Sequence, residues 1–312
     1  MFSRKPLNGY IVVDGHFKIF PVHQWINIKE LNSRMQTALG YGSNEAISAF
    51  GPPYPIYLEV DAPKPDDFTW ARDGVRLLDR YETIAALLIP GIELASHEPS
   101  HDRWCRFFEN IDNRLHSCHG ITQFGISIDG DCSFERYVSE GGGNAKPYSG
   151  TTEFYDAILI ESELAFPSDL TRYLSFYKSL KRKDRDNFDR AAFLFQQGEF
   201  LQKSRFEPLV SYASAVECLL NKKSVHCEAC RQPKFGIGRK FEEFMQKFAS
   251  VSSSLLKQRK QMYNERSKAA HGTYVYGVDR NESQGIEDSN NMLFSWLVRK
   301  GLLNWLINGN RP

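Results

Sequence analysis

The residues best suited to chemistry lie near the C-terminus, in Arg266-Ser267-Lys268-Ala269-Ala270-His271-Gly272. At roughly 100° per residue, a helix over 253–271 places Leu255, Met262, Tyr263, Ala269 and Ala270 within about 60° of Arg266. Arg266 therefore projects from an apolar stripe. A guanidinium there stays charged and needs an anion, either a carboxylate from a neighbouring helix or a phosphate. His271 falls about 140° away in the last turn, where the negative end of the helix dipole favours imidazolium. Gly272 is the residue type expected just past a helix end. A fixed cation and, five residues on, a group that titrates near neutrality suit phosphodiester cleavage: Arg266 would stabilise the phosphorane charge and His271 would act as acid or base.

The stretch Gln261 to Gly272, together with the upstream Ser211-Tyr212-Ala213-Ser214-Ala215-Val216-Glu217-Cys218-Leu219-Leu220, resembles the HEPN superfamily and most of all its Apea-like branch. The resemblance covers about the last 150 residues. It implies a helical bundle that dimerises so that two Arg-x4–6-His motifs face each other and cut RNA without metal, in a toxin or antiviral defence setting. The residue after the Arg is commonly Asn, Asp or His in that family, and here it is Ser267, whose hydroxyl still suits phosphate. Catalysis is thus expected of Arg266 and His271, with Ser267, Lys268, Arg259 and Lys260 as substrate contacts. The alternative is a non-catalytic HEPN-like RNA-binding or scaffolding protein.

The elements that must position these groups divide by charge. Residues 1–165 hold 14 Lys and Arg against 23 Asp and Glu, whereas residues 166–312 hold 25 against 15. The half carrying the motif is the one suited to meet phosphate, although the whole chain is only +1. Its cations recur in bursts: Lys178, Lys181, Arg182, Lys183 and Arg185; Arg239 and Lys240; Lys257, Arg259 and Lys260. The expected organisation is an α+β domain over 1–165, of specificity or regulatory role, followed by an all-α HEPN-like domain over 166–312.

In the first half, Asp14-Gly15 between two apolar runs predicts a hairpin, and Tyr54 to Val60, Gly125 to Asp129 and Tyr155 to Ile160 read as extended. Trp70 to Leu88 and Ser100 to Cys118 show helical periodicity, and Ser139 to Pro147 reads as a flexible loop. Beyond Pro167, helices are expected over Leu170–Leu180, Arg185–Gln202, Phe206–Asn221, Ile237–Phe248, the motif stretch and Met292–Ile307.

Cys227-Glu228-Ala229-Cys230 lies in an 18-residue connection from Asn221 to Gly238. A structural zinc would hold such a connection, with His226 and Cys218, or a second subunit, completing the four ligands; free thiols or a redox pair are the other readings. His97-Glu98-Pro99-Ser100-His101 matches a zinc-protease pattern, but Pro99 breaks the helix that pattern needs. His116 and His119 read as a His-rich helix end. Neither a phosphate loop nor a nucleophile elbow is present. No apolar run reaches the length of a membrane span, the N-terminus lacks the apolar core of a signal peptide, and six irregularly spaced Cys suit a reducing compartment. A cytoplasmic homodimer acting on RNA, with no membrane partner, is expected.

Overall fold

A computed structural model describes residues 1–3, 5–14, 17–22, 26–28, 54–61, 70–93, 105–111, 114–120, 126–128, 133–150, 152–156, 163–200, 207–220, 225–226, 233–234, 236–249, 263–264, 266–267 and 284–309. The chain divides into two compact units, Met1–Thr171 and Arg172–Pro312, the first α+β and the second mostly helical. No helix among the described residues is long and apolar enough to cross a membrane.

In the first unit the Asp14 turn behaves as its residue types require. Asp14 takes φ 56, a left-handed conformation that Asp tolerates, and joins β2 (Ile11–Val13) to β3 (Phe17–Pro21) with Ile11 opposite Ile19. The central strand β5 (Tyr54–Asp61) pairs along one edge with β3, Phe17 opposite Val60 and Pro21 opposite Ile56. Its other edge is shared by β1 (Phe2–Ser3) at Tyr54 and Pro55 and by β8 (Arg114–Gly120) at Glu59 to Asp61. β6 (Ile92–Glu93) extends the sheet beyond β1, and β7 (Cys105–Ile111) extends it beyond β8. β4 (Ile26–Ile28) and β9 (Ile126–Ile128) form a separate antiparallel pair.

Because side chains alternate along a strand, β3 and β5 present two different faces. Phe17, Ile19, Ile56, Leu58 and Val60 line an apolar one, and Phe17 meets Tyr81 of α1 (Trp70–Leu88), whose Leu78, Ile84 and Ala85 are buried. The other face carries Phe20 and Tyr57 packed with Tyr137 of α2 (Phe134–Ser139), and beside them an ion pair of Lys18 Nζ with Glu59 Oε1 at 2.7 Å. The Glu59 side chain is 0% exposed, and its second oxygen accepts the Phe134 backbone N–H at 3.0 Å. A buried carboxylate is tolerable only when so partnered. Here it ties α2 to the sheet.

Three expectations fail in this unit. Cys105–Ile111 and Arg114–Gly120 form an antiparallel hairpin, Ile111 opposite Arg114, where a helix over Ser100 to Cys118 was expected. Trp104, Phe107, Phe108, Ile111 and Leu115 sit at helical spacing, but Asp112-Asn113 is a two-residue connection of the types that hairpin turns favour. His116 and His119 consequently lie in a strand and not at a helix end. Phe154–Asp156 forms a tight 3₁₀ turn where an extended run was expected, and its Tyr155 hydroxyl donates to the Leu88 carbonyl at the end of α1; residues 157–160 lie outside the described residues. The glycine-rich loop is held: the Tyr10 N–H donates to Gly143 and the Ala145 N–H to Tyr10, each at 2.8 Å. Gly9, at φ +101, lets the two backbones meet there, since a Cβ would lie 2.5 Å from the Gly143 carbonyl oxygen.

The second unit follows the helical periodicity closely. It contains α3 (Leu170–Ser179) from Arg172 onward, α4 (Arg182–Phe200), α5 (Glu207–Leu219), α6 (Ile237–Phe248) and α7 (Gln284–Asn308). α4 begins earlier than Arg185, and α7 begins before Met292. Phe188, Phe195, Tyr212, Phe241 and Phe294 are fully buried between these helices. Gly198 permits α4 and α5 to approach, because a Cβ there would lie 2.5 Å from the Tyr212 ring. Between α5 and α6, β10 (Val225–His226) pairs with β11 (Pro233–Lys234), His226 opposite Pro233. This hairpin was not foreseen, and it brackets Cys227 and Cys230.

Candidate active site around Arg266

Tyr263, Asn264, Arg266 and Ser267 are helical. The Arg266 side chain, 18% exposed, meets Glu217 of α5, 22% exposed, with Nη2 2.8 Å from Oε1. Its guanidinium also lies 5.7 Å from the centre of the Tyr263 ring, within cation–π range. Tyr263 in turn packs on Phe241 of α6, ring centres 4.6 Å apart, where Gly238 leaves room for it. The carboxylate partner weighed for a guanidinium on an apolar stripe is therefore present.

Glu217 faces the Arg266 charge and accepts a hydrogen bond from the Tyr263 hydroxyl. Burial pushes the Tyr263 phenol above its ordinary range. The charge of Glu217 and its hydrogen bond push the same way, and Arg266 opposes them. Tyr263 therefore remains a neutral donor at neutral pH. The contact between Arg266 and Glu217 is short but poorly directed, an attraction between charges more than a two-pronged fork. Arg266 Nε is buried and has no hydrogen-bond partner among the described residues. A guanidinium so placed keeps its charge and retains a donor that a phosphate oxygen would satisfy.

Ser267 is half-buried one residue on. The other residues singled out in the sequence, His271, Lys268, Arg259, Lys260, Cys227 and Cys230, lie outside the described residues. Cys218, a candidate further ligand for the cysteine pair, is half-buried on α5 and in no disulfide. Among the described residues, no three His, Cys, Asp or Glu are grouped as a metal site.

A second polar cluster lies within the same unit. Glu199 of α4 accepts the Tyr212 and Ser295 hydroxyls, and Arg299 Nη2 lies 3.3 Å from its other oxygen. Arg299 also covers the Phe195 ring at 4.8 Å. The rings of Tyr212, Phe294, Phe241 and Tyr263 make a continuous series of contacts between this cluster and the Arg266 site.

Sequence reasoning quoted Glu217 but gave it no role, and it placed Tyr263 in the apolar stripe. A signal for Glu217 existed: from Pro208 to Asn221 it is the lone charged residue. A lone carboxylate on one apolar helix and a guanidinium within the apolar stripe of another are natural partners. Comparison with family models, curated proteins and solved structures finds no match to this chain.

Proposed function

We propose that the chain is a metal-independent endoribonuclease of the HEPN type, acting as a homodimer in a cytoplasmic toxin or antiviral defence setting. The observation that supports this most is Arg266: anchored by Glu217, beside the Tyr263 ring, and left with a buried Nε–H that has no partner among the described residues. The RNA supplies its own nucleophile. His271 removes the proton from the 2′-hydroxyl, and Arg266 stabilises charge on the non-bridging oxygens as the phosphorane forms. The departing 5′-oxygen needs a proton as well, and one motif has a single titrating group. The second His271, from a symmetric partner, supplies it. Products carry a 2′,3′-cyclic phosphate and a 5′-hydroxyl. Ser267, Lys268, Arg259 and Lys260 hold the flanking backbone, and residues 1–165 govern specificity or activation.

The test is RNA cleavage by the full chain in EDTA, with end-group analysis of the fragments. Cleavage that persists in His271→Ala, or that yields 3′-hydroxyl ends, overturns the assignment. A second reading is favoured by Glu217, which partly neutralises Arg266: a non-catalytic RNA-binding or scaffolding bundle would bind RNA and leave it intact. Cys227 and Cys230, between the paired strands of the Val225–Lys234 hairpin, are proposed to hold a structural zinc, for which one metal per chain, lost in the double Ser variant, is the expected assay.

A further inference from the structure

The corner between α3 and α4 concentrates charge in a way that stability does not explain. From Leu170 to Lys183 the chain has five cations, Arg172, Lys178, Lys181, Arg182 and Lys183, and no acid. All five are exposed. Lys181, Arg182 and Lys183 occupy the start of a 19-residue helix, where the dipole already places positive potential and acidic residues are preferred. Only Asp184 in that turn and Asp186 beyond it offset them. On other helices Arg136 pairs with Glu140 and the exposed Arg239 with Glu243, each four residues on.

The corner is also rigidly built. The Arg185 guanidinium donates to the carbonyls of Lys178 and Leu180, which cancels the negative end of α3 that would otherwise offset the cations. The same guanidinium lies over the Tyr177 ring at 5.9 Å, and the Tyr177 hydroxyl donates to Asp189 at 2.7 Å. Leu180 is buried, so no apolar anchor is exposed at the turn. Protein hot spots and membrane-surface helices need such an anchor; a polyanion backbone does not.

We infer that Lys181, Arg182 and Lys183 form a docking surface for the phosphate backbone of single-stranded RNA, separate from the Arg266 site. The inference rests on the proposed ribonuclease function, whose substrate it would anchor. Charge-only contacts of this kind fix the position of a strand without reading its sequence.

The experiment uses the full chain carrying His271→Ala, so that binding is measured without cleavage. Affinity for a single-stranded RNA oligonucleotide is followed across a salt series, with and without Lys181→Gln/Arg182→Gln/Lys183→Gln. Loss of three phosphate contacts should lower the slope of log K against log salt by about 2, and affinity at ~0.1 M salt by up to about a hundredfold. Unchanged slope and affinity overturn the docking surface while leaving the ribonuclease reading intact. A parent chain that does not bind RNA overturns both. Equal binding of poly-glutamate, lost equally in the triple variant, assigns the surface to acidic proteins and overturns the RNA inference.

Discussion

Replacing Arg266 by Ala should lower stability as well as any activity, because its partner would remain behind. The two side chains are roughly four-fifths buried, 18% and 22% exposed, which places the pair nearer the buried than the exposed limit. Breaking a buried pair by removing one member costs about 3–5 kcal/mol, and exposed pairs contribute about 0–1. The Tyr263 hydrogen bond continues to satisfy part of Glu217 in Arg266→Ala, so about 2 kcal/mol is expected there. Glu217→Ala should cost more, about 3 kcal/mol, since a guanidinium cannot shed its charge. The double variant should lose less than the sum by about 1–2 kcal/mol. Urea denaturation of the full chain, followed by circular dichroism, measures all three. Strict additivity would refute the pairing, and with it the idea that Glu217 positions Arg266. The same cycle guards the functional test, because Arg266→Lys keeps the charge opposite Glu217 but loses the planar fork. If cleavage falls in Arg266→Lys while stability holds, the guanidinium acts on substrate.

Other outcomes follow from other contacts. The raised Tyr263 phenol means that the folded chain keeps this proton to higher pH than the unfolded chain does; its stabilisation is complete below pH ~10 and is lost as pH rises through the folded value. Tyr263→Phe should flatten the alkaline loss of stability, and an unchanged alkaline limb would count against this environment. Tyr137→Phe should flatten it too, through burial alone. Lys18→Met leaves Glu59 buried without this cation, and a loss of about 3–5 kcal/mol is expected, largely recovered in Lys18→Met/Glu59→Leu. A loss under about 1 kcal/mol in thermal or urea melts would show that the pair is not buried in solution.

Legibility followed the physics that shapes each element. α1 and α6 begin and end at the predicted residues because each is a long stretch of one period. The Asp14 hairpin was readable because its turn chemistry is local. The β7–β8 hairpin was not, since its aromatics satisfy a helical period and only Asp112-Asn113 argues otherwise. Nor could sequence foresee the ordering of Gly141 to Ala145, which depends on Tyr10, far away along the chain. At the candidate site Arg266 was conspicuous by its own position. Glu217 acquired meaning only when α5 was placed opposite it, because pair formation is a property of packing and not of either helix.

The notch at Gly198 bears on how the helical unit tolerates change in length. The Tyr212 ring fills the space a side chain would occupy, and its hydroxyl reaches the neighbouring Glu199. Sliding α5 by one turn toward the start of α4 would set that ring against Leu194 and strip the carboxylate of a donor. The alignment of the two helices is thus keyed at one point. A residue inserted inside α5, upstream of Tyr212, turns the key out of its slot.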